Sequence, residues 1–436
     1  MQTTKRLPYY LSLVFLAYMP FHIFISQSVS LLTGGLDAWK IAKDALLALA
    51  TLFVICLMWA RGVVDKTTWK LVVFTAGYGL LHALLWATHP DIYKNSALLG
   101  TTYNVRLVCF LIVGYGAVRL LGPAFRWQPV LRVVIGVATV VAALGIIQYF
   151  LPKDTLTHIG YGIDRGVRAN FAIDDAAGLT RVMSTLRDPN SLGAFLLVPM
   201  TLLAALITSP RFKKYRVLGF SAFAVMAVAL LMTFSRSAWM AAIVSLGLVM
   251  LWQFREKVVL FAKRFGIAFA ILVVGFSVFA YTQRHSSFVT SYISHSSQGS
   301  QDIDSNEYHW LFVKQGINGI IANPLGHGPG TAGLASIQNP KGSFLTENYY
   351  VQVGYELGIV GLAAFVGLQV WLYIRLWRSR QHGVMPTVLL ATFWGYVLMN
   401  MLLHTWSNEA VACQWWILAG MAIAEQSATK SSAKRV

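Results

Sequence analysis

The hydrophobic pattern of this chain is one of long apolar runs separated by short polar connections. The runs measure about 18–25 residues, enough for a helix to cross the hydrocarbon core of a bilayer. They fall near 9–30, 44–60, 71–88, 104–121, 132–151, 190–209, 217–234, 237–253, 265–283, 347–374, 385–403 and 410–424. The pattern predicts an all-α, polytopic integral membrane protein of about twelve transmembrane helices, with residues 1–436 forming a single membrane domain. Polar sequence is gathered in two long loops, 153–189 and 284–346. Loops of that length in a compact domain are usually functional.

Within the second loop, Trp310, Val313, Ile317 and Ile320/Ile321 recur at helical spacing, predicting an amphipathic helix on the bilayer surface with Trp310 as its interfacial anchor. His309 precedes that stripe and reads equally well as a surface histidine or a functional one. Asn323–Gly333 (NPLGHGPGTAG) then sets Gly326, Gly328, Gly330 and Gly333 around His327. Such a run makes either an ordinary turn or a nest of backbone N–H groups for an oxyanion. In the tenth span, Gly354, Gly358 and Gly361 lie within about 40° of Glu347 on an ideal helix, which places Glu347 at the mouth of a small-residue seam. Asn348, Gln352 and Glu356 form a second stripe at i, i+4, i+8. Glu356, inside the span, is either a functional carboxylate or one paired within the bundle.

Composition confirms the class: 56% of the 436 residues are hydrophobic, 12% are charged, and mean hydropathy is +0.59. The net charge of +18 is mostly orientation signal, because 22 of the 35 lysines and arginines fall on one side of the alternating spans. That side, read as cytoplasmic, holds both termini, so the positive charge implies no nucleic-acid partner. The first apolar run lacks a small-residue cleavage site and reads as a retained helix. Cys56, Cys109 and Cys413 all lie in apolar runs, and no metal or redox spacing is present in the sequence.

The basic residues on the outer side are the candidates for chemistry. Asp188-Pro189 predicts a helix start with an Asp cap and Pro in the first turn, setting Arg187 beside a helix N-terminus where an anion is favoured. Arg236 sits in a tight outer turn, in TFSRSAW. Arg165 and Arg168 read as arginines snorkelling to lipid phosphates. Two convergent guanidiniums suit a diphosphate.

Taken together, these motifs resemble the O-antigen ligase and O-antigen polymerase superfamily. The resemblance rests on Arg187, Pro189, Asn190, Leu192 and Gly193; on the turn bearing Arg236; on Trp310 followed by Asn323-Pro324-Leu325-Gly326-x-Gly328-x-Gly330; and on the Asn348, Gly358, Gly361 run of N-x9-G-x2-G form. It implies a membrane glycosyltransferase, without cofactor or metal, acting on the outer face of the bacterial cytoplasmic membrane. The implied partners are a polyprenyl-diphosphate-linked oligosaccharide donor, a glycan or lipid acceptor and the lipid bilayer, with a flippase and a chain-length regulator as further candidates. The ligases have a histidine where this chain has Glu347, and many relatives have an arginine where it has Asn306. These departures put polymerase ahead of ligase. Under this reading Glu347 is the base for the acceptor hydroxyl, with His309 the competing base. Arg187 and Arg236, with Arg181, hold the diphosphate, and Asn190, Asn348, His327, Gly328 and Glu356 support the site. Two alternatives remain: a ligase attaching polymer to a lipid or protein acceptor, and a twelve-helix transporter of an anionic solute. Against the transporter stands the scarcity of charge expected near the bilayer midplane.

Overall fold

The computed structural model describes residues 2–172, 180–256 and 305–433, with isolated positions at 260, 264 and 282. Helices α1 (Gln2–Tyr18) and α2 (His22–Thr33) join across a tight turn at Met19–Phe21 to make the first span. They are followed by α3 (Leu36–Ala60), α4 (Lys66–Thr88), α5 (Lys94–Leu121) and α6 (Trp127–Phe150). The short α7 (Thr155–His158) lies in the first long loop, before α8 (Pro189–Ile207), α9 (Arg216–Met232) and α10 (Arg236–Gln253). Then come α11 (Ser305–Ala322), α12 (Tyr349–Ser379), α13 (Val384–Leu402) and α14 (Glu409–Ala433). The protein is an all-α polytopic membrane protein: 10 helical stretches among the described residues are long and apolar enough to cross a bilayer. They coincide with ten of the twelve expected spans. The ninth, 265–283, lies outside the described residues except for position 282, together with positions 283–304 of the second loop.

The twelfth expected span is α14, and it is the axis of the bundle. Every residue from Ala410 to Ala424 is buried. Glu409, Gln414 and Glu425 dilute its hydropathy, so enclosure by protein rather than lipid accommodates it. It lies against α5 through glycines: a Cβ at Gly114 would overlap the Ile417 backbone, and one at Gly420 the Leu111 and Tyr115 backbone. Close backbone approach through small residues is how membrane helices gain packing energy when lipid removes the hydrophobic drive. Trp406, Trp415 and Trp416 fill the space toward α13.

The first long loop is tied down. Arg165 Nε donates to Gly160 O at 2.7 Å and Gln27 Oε1 at 3.1 Å, and its Nη2 reaches Ser30 Oγ. Its guanidinium therefore fastens the loop to α2 rather than snorkelling to lipid; Arg168 remains exposed. Farther on, Gln148 Oε1 accepts from the Met183 and Ser184 amides at 3.0 and 2.7 Å, and Thr185 Oγ1 donates to Pro20 O. Val182, Met183 and Leu186 are buried in consequence, which fixes the strand of chain leading into α8.

Two expectations about the second loop and α12 need correction. Helix α12 starts after Glu347, which is left-handed at φ +51°, and Asn348 is the cap, its Oδ1 accepting from the Tyr350 and Val351 amides. The helix also breaks at Gly358, with φ +68° and ψ −173°. The ideal-helix face joining Glu347 to Gly354, Gly358 and Gly361 therefore does not exist. Instead Gly354 receives Ile320 of α11, and Gly358 receives the backbone of Pro324 and Leu325. In α11, the expected single stripe splits. Val313 is buried and Ile320 faces α12, whereas Trp310, Ile317 and Ile321 point outward with Lys314, Trp310 and Ile321 each 71% exposed. Glycines at 316 and 319 cause this, by letting α12 side chains Val351 and Tyr355 press onto the helix between the stripe positions.

Candidate active site

At the Glu347 end of the bundle, the start of α8, the segment before α12 and the turn between α13 and α14 enclose a cavity of about 170 Å³. Its lining includes Arg187, Asn190, Glu347, His404, Asn408 and Glu409. Each wall is positioned by a local device. Asp188 Oδ1 caps α8 by accepting from Ser191 N at 2.9 Å, with Pro189 in the first turn as its sequence predicts. This sets Arg187 at the helix mouth. Asn348, besides capping α12, donates from Nδ2 to Met401 O at 3.0 Å, which brings the α12 start to the α13 end. Thr346 Oγ1 then lies 3.2 Å from His404 Nε2.

The charges in this cavity are unevenly satisfied. Glu347 Oε2 lies 3.7 Å from His309 Nδ1 on α11, both side chains being partly buried. Among the described residues, no carboxylate pairs with Arg187 and no hydrogen bond holds its guanidinium. His404, between α13 and α14, is held neutral. Burial lowers its pKa to about 4; Glu347 opposes the shift, while His309 and Arg187 reinforce it. Neutral His404 thus sits among Glu347, His309 and Arg187 without adding charge. A cation without a counter-ion among the described residues, beside a carboxylate and a neutral imidazole, can receive an anion on one wall and a proton on another.

The other expected site residues are placed as follows. Arg181 is engaged: Nε donates to Thr233 O at 2.9 Å and Nη2 to Asn190 Oδ1 at 3.0 Å, locking the α9–α10 turn to the start of α8. Burial lowers its pKa, Asp188 offsets this and the nearby Arg236 adds to it. Arg236 opens α10 after its Ser235 cap, with Ala238 packed onto Gly193 of α8. Arg181 and Arg236 are therefore neighbours of each other, but neither lines the cavity that contains Arg187. The glycine loop docks into the α12 break: His327 N donates to Tyr355 O, Gly328 N to Glu356 O and Ile359 N to Pro324 O, each at 2.9 Å. His327 stacks flat on Tyr355 at 4.0 Å. Glu356, fully buried, accepts from Gly330 N at 3.1 Å, Ala332 N at 3.4 Å and Asn104 Nδ2 at 3.3 Å. The loop amides are thus aimed at the protein's own carboxylate and carbonyls.

Residues 221–366, from α9 to the middle of α12, match the family model described as O-antigen ligase. This segment is therefore similar to the O-antigen ligase family, over 146 of the 436 residues. No curated protein matches the chain. The O-antigen ligase region contributes Arg236, His309, the glycine loop, Glu347 and Glu356, whereas Arg187, His404 and Glu409 reach the cavity from outside it. The match agrees with the resemblance read from the motifs and falls on a multi-pass membrane protein.

Sequence reasoning missed His404 and Glu409, which follow an apolar run with no motif to mark them. It also passed over Arg106, Lys43 and Asp44, which fall at the starts of the expected spans 104–121 and 44–60. Arg106 is 2% exposed and lies 3.8 Å from Asp44 and 3.9 Å from Glu409. An arginine just inside the start of an apolar run was the available signal.

Proposed function

We propose that this cavity is the transfer site of a glycan polymerase acting at the outer membrane face on a polyprenyl-diphosphate-linked donor. Arg187 receives the donor diphosphate beside the α8 N-terminus, with Arg181 and Arg236 behind it adding positive potential. Glu347 accepts the proton of the acceptor hydroxyl as its oxygen bonds to the anomeric carbon. The bond from that carbon to the diphosphate breaks, its electron pair stays on the leaving diphosphate oxygen, and Arg187 offsets the negative charge that develops there. His309 and His404 flank Glu347 and orient it. The observation that carries the reading is that the Arg187 guanidinium, with no carboxylate partner among the described residues, shares one small cavity with Glu347.

The test is transfer from a synthetic polyprenyl-diphosphate oligosaccharide by the purified full chain. Glu347→Gln is expected to lower the rate roughly 100-fold or more, as loss of a general base does. Arg187→Ala is expected to cost roughly 100-fold. Wild-type rates in either folded variant would remove the assigned role. Loss of long surface glycan with single units retained, in a deletion strain, supports polymerase; accumulation of lipid-linked polymer moves the assignment to ligase.

A further inference from the structure

Behind the turn between α13 and α14 lies a buried group of four charges. Lys43 Nζ bonds Asp44 Oδ2 at 2.8 Å on α3, and Arg106 on α5 lies between Asp44 and Glu409, its guanidinium over the Tyr103 ring at 4.6 Å. Arg106 Nη2 also donates to Ser407 O. Between Ser407 and Glu409, Asn408 caps α14, accepting from the Ala410 and Val411 amides at 3.1 and 3.2 Å. Burying ionic groups costs several kcal/mol each, so such clusters are weak devices for stability alone. Here α5 and α14 are already joined by their glycine contacts. The cluster sums to zero charge but presents an unequal face: Glu409 lines the cavity, while Lys43, Asp44 and Arg106 do not. One wall therefore carries the Arg187 guanidinium beside Asp188, whose two oxygens are taken up by the Ser191 amide and hydroxyl, and the others carry two carboxylates, Glu347 and Glu409.

We infer that Glu409 is a specificity-determining residue: together with Glu347 it reserves the 403–409 wall for an uncharged, hydroxyl-bearing acceptor sugar, excludes sugars bearing a carboxylate, and confines the diphosphate to Arg187. Arg106 lies beside it, 3.9 Å from Glu409 and donating to the Ser407 carbonyl. The inference rests on the transfer-site reading above. Ser407, Asn408, Thr405 and Asn190, also in the lining, supply neutral donors and acceptors suited to sugar hydroxyls.

The experiment uses the full chain in nanodiscs of uncharged lipid. Inorganic diphosphate is titrated by calorimetry into wild type, Arg187→Ala, Glu409→Gln and Glu409→Asp, and methyl glucoside and methyl glucuronide are compared by saturation-transfer NMR. Diphosphate is expected to bind wild type and Glu409→Asp alike. Removing one negative charge within the cavity tightens it on the order of fivefold in Glu409→Gln. Unchanged diphosphate affinity in folded Glu409→Gln overturns the inference. Wild type, which needs no variant to fold, is expected to give a signal with the glucoside and none with the glucuronide; equal signals, a stronger glucuronide signal, or none from either also overturns it. Failure of wild type to bind diphosphate, or binding that survives Arg187→Ala, instead refutes the donor half of the transfer-site reading.

Discussion

Glu356 separates a carboxylate that builds the site from one that reacts in it. Its Oε1 accepts the Gly330 and Ala332 amides and its Oε2 accepts Asn104 Nδ2. Glu356→Leu strands three buried donors. At about 1–3 kcal/mol for each, partly relieved by relaxation, the loss is about 3–6 kcal/mol, a large part of a typical total of about 5–15 kcal/mol. Glu356→Gln keeps one oxygen for the two amides but turns an NH₂ toward Asn104 Nδ2. Asn104 does not rotate freely to accept it, because its Oδ1 accepts from Tyr349 Oη at 2.8 Å and its Nδ2 lies 3.2 Å from His82 Nε2. One bond is lost, about 1–2 kcal/mol. Thermal unfolding in nanodiscs is expected to rank wild type above Gln above Leu, while Glu356→Gln keeps a near-wild-type transfer rate per folded molecule. A Leu variant as stable as wild type refutes the hydrogen-bond reasoning. A Gln variant that melts like wild type but transfers 100-fold more slowly, the scale of a lost proton-transfer group, makes Glu356 a reacting group.

Other outcomes follow from the same contacts. Gly358→Ala forces a side chain into a backbone region almost reserved for glycine, at about 1–3 kcal/mol, and drives a Cβ into the Pro324 and Leu325 backbone; a lowered melting temperature is expected, and an unchanged one contradicts the break. Arg165→Ala releases the first long loop from α2, so limited proteolysis between α6 and α8 is expected to accelerate. His404, with its pKa lowered to about 4 from an ordinary 6.5, binds its proton later in the folded than in the unfolded chain. Its contribution to stability is complete above pH 6.5 and is lost as pH falls from 6.5 toward 4. Melting curves of His404→Gln should lack that part of the slope; slopes identical to wild type count against the burial assigned to His404.

Long apolar runs revealed the spans because a bilayer-crossing helix has to be continuous and apolar, and Asp188-Pro189 revealed the α8 start because cap and first turn are local. The cavity was only half legible. Arg187 and Glu347 stood out as charges at helix ends, but His404, Glu409 and Arg106 gain meaning only when α5, α8 and α12 meet the α13–α14 turn. Helical periodicity misled at Glu347 because it cannot foresee a left-handed residue before the cap or a break at Gly358. The glycine loop was ambiguous in sequence for a related reason: its partners are carbonyls freed by that break, which no pattern of side chains encodes. The α11 stripe split because Gly316 and Gly319 turn the inward face away from the larger apolar residues.

The placement of α14 has a consequence for biogenesis. It is the most enclosed helix described, yet its flanking glutamates leave it poorly suited to partition into lipid unaided, and Arg106 precedes its partner Ser407 by 301 residues. When α3 and α5 leave the ribosome, Lys43 and Arg106 have only Asp44 beside them, one negative charge too few. The charges of α3 and α5 are thus balanced only once the last helix is in place, and α14 has the rest of the protein, not lipid, for its solvent.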